Sequence, residues 1–122
     1  MTRTGLPGPA ALLGLLALLA LLAGCAPPTM YLWGHYEGLV YATYAAPGTV
    51  PPERQIEILE QDYRKARAAN KPVPPGFHAH LGYLYYQIGR MDQARQEFET
   101  ERANFPESAV FMDRLLANLT RK

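Results

Sequence analysis

The sequence predicts an all-α protein in which about five helices follow an N-terminal export segment. Apolar residues recur every three or four positions in stretches between residues 30 and 120, which is the spacing of helices with one buried face. Segments rich in proline and glycine, at 47–52 and 70–76, separate these stretches, and Gly89 marks a tight turn. Ahead of them, residues 10–23 are wholly apolar.

Residues 1–24 have the profile of a lipoprotein signal peptide. The apolar run would reach about 21 Å as a helix, less than the roughly 30 Å hydrocarbon core of a bilayer, so a permanent membrane span is disfavoured. The run ends in Leu22-Ala23-Gly24-Cys25, which resembles the lipobox of bacterial lipoproteins. The resemblance implies cleavage before Cys25, two acyl chains on its sulfur and one on its amine. An ordinary signal peptide that ends beside a cysteine is the alternative.

Residues 25–29 would then be the lipidated cysteine and a short tether that keeps the domain close to the bilayer. Ala26 follows the cysteine, and in diderm bacteria of the enteric type this resembles the signal for transport to the outer membrane. The expected location is therefore the bacterial cell envelope, with the domain, residues 30–122, in the periplasm. Cys25 is the only cysteine, so the chain cannot form an internal disulfide.

Charge disfavours nucleic acid as a partner. The chain has 12 basic and 11 acidic side chains, and removal of residues 1–24 takes away only Arg3, which leaves 11 of each. A formally neutral domain lacks the basic surface that nucleic-acid binding requires.

The first helix of the domain is predicted from Met30 to about Ala45, with Trp33, Tyr36, Val40 and Tyr44 on one face. These aromatic residues would pack in the core or, alternatively, rest in the lipid interface. The next helix is predicted from about Pro52 to Ala69, and its buried face comprises Ile56, Leu59, Tyr63 and Ala66.

Residues 76–106 predict two antiparallel helices joined by a tight turn at Gly89. Gly82 and Ala94 are small enough for the two helix backbones to approach closely. The stretch resembles a tetratricopeptide repeat at Leu81, Gly82, Tyr85, Gly89, Ala94, Phe98 and Pro106. It departs from the repeat at His78, where a large aromatic residue is usual, and at Glu101, where a small residue is usual.

A last helix is predicted from about Ser108 to Thr120, with Phe111, Leu115 and Leu119 on one face. It resembles the capping helix of a repeat array, and the first two helices of the domain resemble a degenerate preceding repeat. Because repeats bury their faces on their neighbours, the central hairpin needs both flanks.

Enzymatic chemistry is not expected. His78 and His80 lie about 200° apart around a helix and cannot share a metal ion, and the spacing of His35 and Glu37 has the same defect. No nucleophile stands near a usable base, and there is no glycine-rich phosphate loop. Glu97, Glu99 and Glu101 are expected on a solvated helix face. We therefore predict a protein with no catalytic residues, no metal and no cofactor.

Partner binding is the expected role. Tetratricopeptide proteins line a concave groove from the first helix of each repeat, and that resemblance assigns the groove to Ala79, Tyr83, Tyr86, Gln87, Asp113, Ala117 and Arg121. Tyrosines three residues apart, with an acid and a base nearby, would hold a partner segment through aromatic faces and hydrogen bonds. In the alternative, Tyr83 and Tyr86 pack on the N-terminal helices.

Three stretches, YLWGHYEG, VPPGFHAHLGYLYYQIG and NFPESAVFMDRLL, together resemble a family of small bacterial lipoproteins of unknown function. Members of that family often occur beside a lipoprotein that resembles the curli secretion pore, which implies an accessory role and an envelope protein as partner. Two hypotheses follow: a lipid-anchored scaffold that binds a protein partner through the groove, or a regulator of a cell-wall-synthesising or remodelling enzyme.

Overall fold

The computed structural model describes residues 5–22, 24 and 28–121, and every regular element in this part of the chain is a helix, with no strand. The elements are α1 (Pro9–Leu22), α2 (Tyr36–Ala45), α3 (Pro52–Ala68), α4 (Phe77–Gln87), α5 (Met91–Asn104), a 3-10 turn (Pro106–Ser108) and α6 (Ala109–Leu119). The predicted all-α class is confirmed.

Helix α1 is the apolar run of the N-terminal segment, and its described side chains are exposed. None of the helices in the described ranges is both long and apolar enough to span a bilayer. Cys25, the predicted site of lipidation, lies outside the described residues, as do Ala26 and Lys122.

The segment ahead of α2 corrects the predicted start of that helix, which begins at Tyr36 and not at Met30. Gly34 adopts a left-handed backbone with φ +50°. The backbone N–H of His35 donates to Asp62 Oδ2 at 2.7 Å, and that of Leu32 donates to the carbonyl of Pro72 at 2.9 Å. The left-handed Gly34 and the bond of the His35 N–H to a distant carboxylate interrupt a helix over residues 30–35, so α2 begins after them.

The buried face of α2 also differs from the predicted one. Leu39 is the buried residue, whereas Tyr44 is 77% exposed and Trp33 is 38% exposed. Thr43 donates from its hydroxyl to Gln55 Oε1 at 3.2 Å, which turns the Leu39 side of the helix toward α3. Tyr36 and Val40 are half-buried.

Helix α3 buries Ile56, Leu59 and Ala66, as its spacing predicts, and leaves Tyr63 half-buried. It ends in a Schellman motif at Asn70, which has a φ of +51°. The N–H of Lys71 donates to the carbonyl of Ala66 at 2.9 Å, and the N–H of Asn70 donates to that of Arg67 at 3.1 Å.

Helices α4 and α5 form the centre of the core. A Cβ on Gly82 would lie 2.6 Å from Phe98 Cε1 and 3.2 Å from the carbonyl oxygen of Ala94, so the predicted close approach is present. The hairpin reverses at Gly89, whose φ is +78°. Its buried apolar side chains are Phe77, Leu81, Leu84, Tyr85, Ala94 and Phe98.

Helix α6 packs on α5, and its buried residue is Met112. Leu115 and Leu119 are half-buried against the core as predicted, but Phe111 is 58% exposed. The face of α6 that packs on the core is therefore centred on Met112, one residue away from the predicted Phe111.

Candidate functional site

An apolar cleft of about 430 Å³ lies over α4, between α2 and α6. We call it the aromatic cleft. It exists because α4 packs on α3 and α5 while α6 packs on α5, which leaves one face of α4 partly uncovered. Its lining is Tyr36, Val40, Tyr44, Gly76, Ala79, His80, Tyr83, Phe111 and Leu115.

The polar groups of the aromatic cleft come from tyrosine hydroxyls and one imidazole. His80 Nε2 lies 3.1 Å from Gln55 Oε1, and burial lowers the pKa of His80 below its usual value of 6.5. Burial also raises the pKa of the Tyr36 hydroxyl, and the Glu101 carboxylate adds to that rise. A lining of neutral aromatic residues with a few hydrogen-bonding groups suits a peptide segment better than a charged ligand.

A smaller cavity of about 160 Å³ continues the surface along α4. Tyr83 and Leu115 line both cavities, so the two cavities are neighbours on the surface. The remaining lining of the smaller cavity is Tyr86, Phe98, Asn118 and Leu119.

The structure brings together the α4 part of the predicted groove. Ala79 and Tyr83 line the aromatic cleft and Tyr86 lines the smaller cavity. Gln87 Nε2 donates to the Tyr83 hydroxyl at 3.1 Å. Tyr83 is 41% and Tyr86 46% exposed, so neither side chain is buried beneath the N-terminal helices.

The α6 part of the predicted groove lies elsewhere. Asp113, Ala117 and Arg121 are exposed and line neither cavity, and Asp113 forms an ion pair with Arg102, with Oδ1 3.2 Å from Nε. Leu115 faces α4, and a residue two positions away on a helix points about 200° around the axis. Phe111 and Leu115 are the α6 residues that sequence reasoning missed at the cleft, although their spacing had marked them as apolar.

Two of the three carboxylates expected on a solvated face are not solvated. Glu101 is 2% exposed, and its oxygens accept from the backbone N–H groups of Gly76 at 2.6 Å and Ala79 at 3.3 Å. Glu97 is 18% exposed and lies 2.6 Å from His78 Nδ1. Only Glu99 is exposed as expected. The departure from the repeat pattern at Glu101 was the available signal, since a glutamate in place of a small residue needs buried donors.

Glu101 caps the first turn of α4, whose N-terminal residue Gly76 has no side chain to do so. Gly76 has a φ of +91°, and a Cβ there would meet the Tyr36 hydroxyl. The cap therefore fixes the end of α4 at which the aromatic cleft begins. Within the described ranges, no three His, Cys, Asp or Glu side chains are grouped closely enough to hold a metal ion.

A family model described as a domain of unknown function, DUF4810, matches residues 30–115. No curated protein and no solved structure is significantly similar to the chain.

Proposed function

The chain belongs to the DUF4810 family, a family of unknown function, and on that premise we propose that it is a lipid-anchored accessory protein of the bacterial cell envelope that binds a protein partner through the aromatic cleft. The proposal has three parts, which are the anchor, the repeat-like hairpin and the cleft. Each part has its own support.

The anchor rests on the sequence motif Leu22-Ala23-Gly24-Cys25, whose first residue is the last residue of α1. Helix α1 has 14 residues, too few to cross the hydrocarbon core. Acylation of Cys25 would supply two or more chains, which is enough for stable attachment. In this proposal the domain faces the periplasm from the outer membrane.

The hairpin of α4 and α5 supports a tetratricopeptide-like arrangement. Gly82 meets Phe98 and Ala94 at the close helix contact, and Gly89 makes the turn. In such an arrangement α2 and α3 act as the preceding repeat and α6 as the cap, so the aromatic cleft corresponds to the ligand-binding side of the array.

The observation that carries the proposal is the exposure of aromatic rings on one apolar cleft. Tyr44 is 77%, Phe111 58% and Tyr83 41% exposed, while the core is filled without them. Exposed rings around a cavity are the usual anchors of protein interfaces, because they bury a large area at small cost in side-chain entropy. We propose that the occupant is a helical or extended segment with apolar side chains.

Site-specific crosslinking tests this proposal. A photoreactive amino acid replaces Tyr83 in the full chain in membranes, and the same residue at Arg64, an exposed position of α3, is the matched control. We expect a crosslinked envelope protein from position 83 and none from position 64. Identification of that protein also separates a scaffold, which would capture a structural or pore-forming partner, from a regulator, which would capture a cell-wall enzyme.

The double variant Tyr83→Ala/Tyr86→Ala separates binding from stability. Because both side chains are more than two-fifths exposed, we expect a loss of less than about 2 kcal/mol in unfolding free energy. Capture through a probe at Phe111 should fall at least tenfold, since interface aromatics commonly contribute about 2 kcal/mol or more. A collapsed melting transition would mean that the tyrosines serve the core, and unchanged capture would mean that the two tyrosines do not contribute to partner binding.

A further inference from the structure

A second cavity, of about 680 Å³, lies where the chain enters the folded domain. We call it the basal cleft. Its walls come from the segment before α2, the C-terminal ends of α3 and α5, and the start of α4. Tyr31, Tyr63 and Phe105 provide aromatic wall, and Arg67 and Lys71 provide two positive charges.

The lining favours an anion. Among the described residues that form the wall, Arg67 and Lys71 are the fully charged groups and none is acidic. Arg67 is held over the Tyr63 ring, with its guanidinium carbon 6.0 Å from the ring centroid. The Schellman motif at Asn70 brings Lys71 to the same end of α3 as Arg67, so both charges border one cavity.

The ends of α3 and α5 oppose this preference, because a helix C-terminus carries about half a negative charge. In α3, the Schellman bonds occupy the carbonyls of Ala66 and Arg67, which reduces their ability to attract a cation. The wall therefore carries two full positive charges against two half charges of the helix ends, and its own charges favour an anion.

His78 gives a second sign that the basal cleft receives a polar ligand. The side chain is 3% exposed and lines the cavity, and Nδ1 lies 2.6 Å from Glu97. Within the described part of the chain, its Nε2 is the buried side-chain atom without a hydrogen-bond partner. Buried polar atoms nearly always have a hydrogen-bond partner. The Nε2 atom of His78 can therefore bond to a polar ligand in the basal cleft, either directly or through a water molecule.

The basal cleft lies close in sequence to the proposed lipid anchor, which favours a membrane lipid as the source of the anion. Met30, 73% exposed, lies on its rim, only five residues after Cys25, and five residues span at most about 18 Å. Trp33 is 38% exposed, and the centre of its ring lies 6.3 Å from that of Tyr31, which lines the basal cleft. Tryptophan and tyrosine favour the headgroup region of a bilayer, and bases favour its anionic lipids.

We propose that the basal cleft binds the phosphate of an anionic phospholipid headgroup and thereby seats this end of the domain on the bilayer. Arg67 and Lys71 hold the phosphate, and Met30 and Trp33 enter the headgroup layer beside it. The inference rests on the proposed anchor, which brings the cleft within reach of the membrane. The opposite orientation of the domain would leave the cleft in solvent.

Trp33 provides the measurement because it is the only tryptophan in the chain. The full chain is reconstituted into nanodiscs of phosphatidylcholine, with or without phosphatidylglycerol, and the Trp33 emission and its quenching by acrylamide are recorded. We expect phosphatidylglycerol to shift the emission to shorter wavelength and to reduce quenching. Co-elution of the chain with the nanodiscs reports attachment separately, so failure of the anchor and failure of the headgroup site are distinguishable.

The variant Arg67→Gln/Lys71→Gln should lose this response, because two bases near a membrane surface together correspond to a roughly thirtyfold change in affinity. The matched variant Arg64→Gln/Arg114→Gln removes the same number of charges outside the basal cleft, and its Trp33 emission should still respond to phosphatidylglycerol. Both pairs are exposed, and equal melting temperatures confirm that each variant folds.

Three results would overturn the inference. Phosphatidylglycerol leaves the Trp33 signal unchanged in chains that co-elute with the nanodiscs, or the matched variant loses the response as fully as Arg67→Gln/Lys71→Gln does. Alternatively, inorganic phosphate added to phosphatidylcholine nanodiscs reproduces the response, which would make the basal cleft a general anion site and not a lipid headgroup site.

Discussion

At the scale of single residues, Glu101 shows how a charge that sequence places on a helix surface can act inside the molecule. Its carboxylate reaches the N-terminal N–H groups of α4, 22 and 25 residues earlier in the chain. A carboxylate at a helix N-terminus satisfies unpaired donors and opposes the positive end of the helix dipole. Its side chain therefore couples α5 to the start of α4.

We predict that Glu101→Ala lowers the unfolding free energy by about 2 to 3 kcal/mol, because it leaves buried N–H groups unpaired. Glu101→Gln, which keeps one acceptor oxygen, should cost less. The exposed residue Glu99 on the same helix supplies the control, and Glu99→Ala should cost less than about 0.5 kcal/mol. Urea denaturation measures all three, and equal losses for Glu99→Ala and Glu101→Ala would contradict the capping role.

His80 should make stability depend on pH. Burial lowers the pKa of His80 in the folded protein, so the unfolded chain binds a proton more readily. Its contribution to stability is therefore fully present above the unfolded pKa of about 6.5, is lost as pH falls through that value, and stops changing below the folded pKa. His80 contacts Gln55 and Tyr36, and neither side chain carries a charge at these pH values.

The test compares unfolding free energies of the wild type and His80→Gln between neutral and mildly acidic pH. The difference between their pH profiles isolates His80 from His35 and His78, which are paired with Asp62 and Glu97. We expect the variant to lose less stability in acid than the wild type. Identical profiles would mean that His80 does not resist protonation in the folded state.

At the scale of secondary-structure elements, the contact between α4 and α5 depends on a missing side chain. Gly82 has no room for a methyl group beside Phe98 and the Ala94 carbonyl. Gly38, on α2, has nothing within 4 Å of the position where a Cβ would be. Two helical glycines in one chain thus provide a matched pair with opposite expectations.

We predict that Gly82→Ala destabilises the protein by about 1 to 3 kcal/mol, since the phenyl ring must move to relieve overpacking. Gly38→Ala should stabilise it by about 0.5 to 1 kcal/mol, because alanine loses less backbone entropy in a helix. Thermal unfolding of the two variants gives the sign directly. A stabilised Gly82→Ala would show that α4 and α5 are not held at this distance.

At the scale of the whole molecule, the basal cleft and the aromatic cleft are lined by different residues and differ in charge. The basal cleft carries two bases and borders the entry of the chain, whereas the lining of the aromatic cleft is uncharged apart from the titratable His80. In the proposals above, one end of the domain contacts lipid and the aromatic cleft stays open to a protein partner.

The proposed anchor predicts the behaviour of Cys25→Ala. Without the thiol no thioether to diacylglycerol can form, so the variant should accumulate as an uncleaved or soluble form. The measurement is gel migration together with extraction from membranes by detergent, and an exposed-surface variant such as Arg114→Gln serves as the control. Unchanged migration and extraction of Cys25→Ala would refute lipidation at this residue.

The sequence by itself was sufficient for the helical class and for most helix ends, because these depend on neighbouring residues. Prolines and apolar spacing predicted a helix at 52–69 and another at 108–120, and the structure has Pro52–Ala68 and Ala109–Leu119. The apolar run and the box at Cys25 are equally local signals. The sequence also predicted the close helix contact at Gly82 and Ala94, because small residues at these positions of the repeat pattern indicate where two helix backbones approach.

Only the tertiary structure decided the start of α2, the role of Glu101 and the membership of the two clefts. His35 bonds to Asp62, 27 residues away, and Glu101 bonds to Gly76, 25 residues away. Spacing along one helix indicates which residues share a face, but the packing of the other helices determines where that face points. Phe111 therefore lies on the aromatic cleft and Asp113 outside it, because α6 packs on α5 with Met112 as its buried residue.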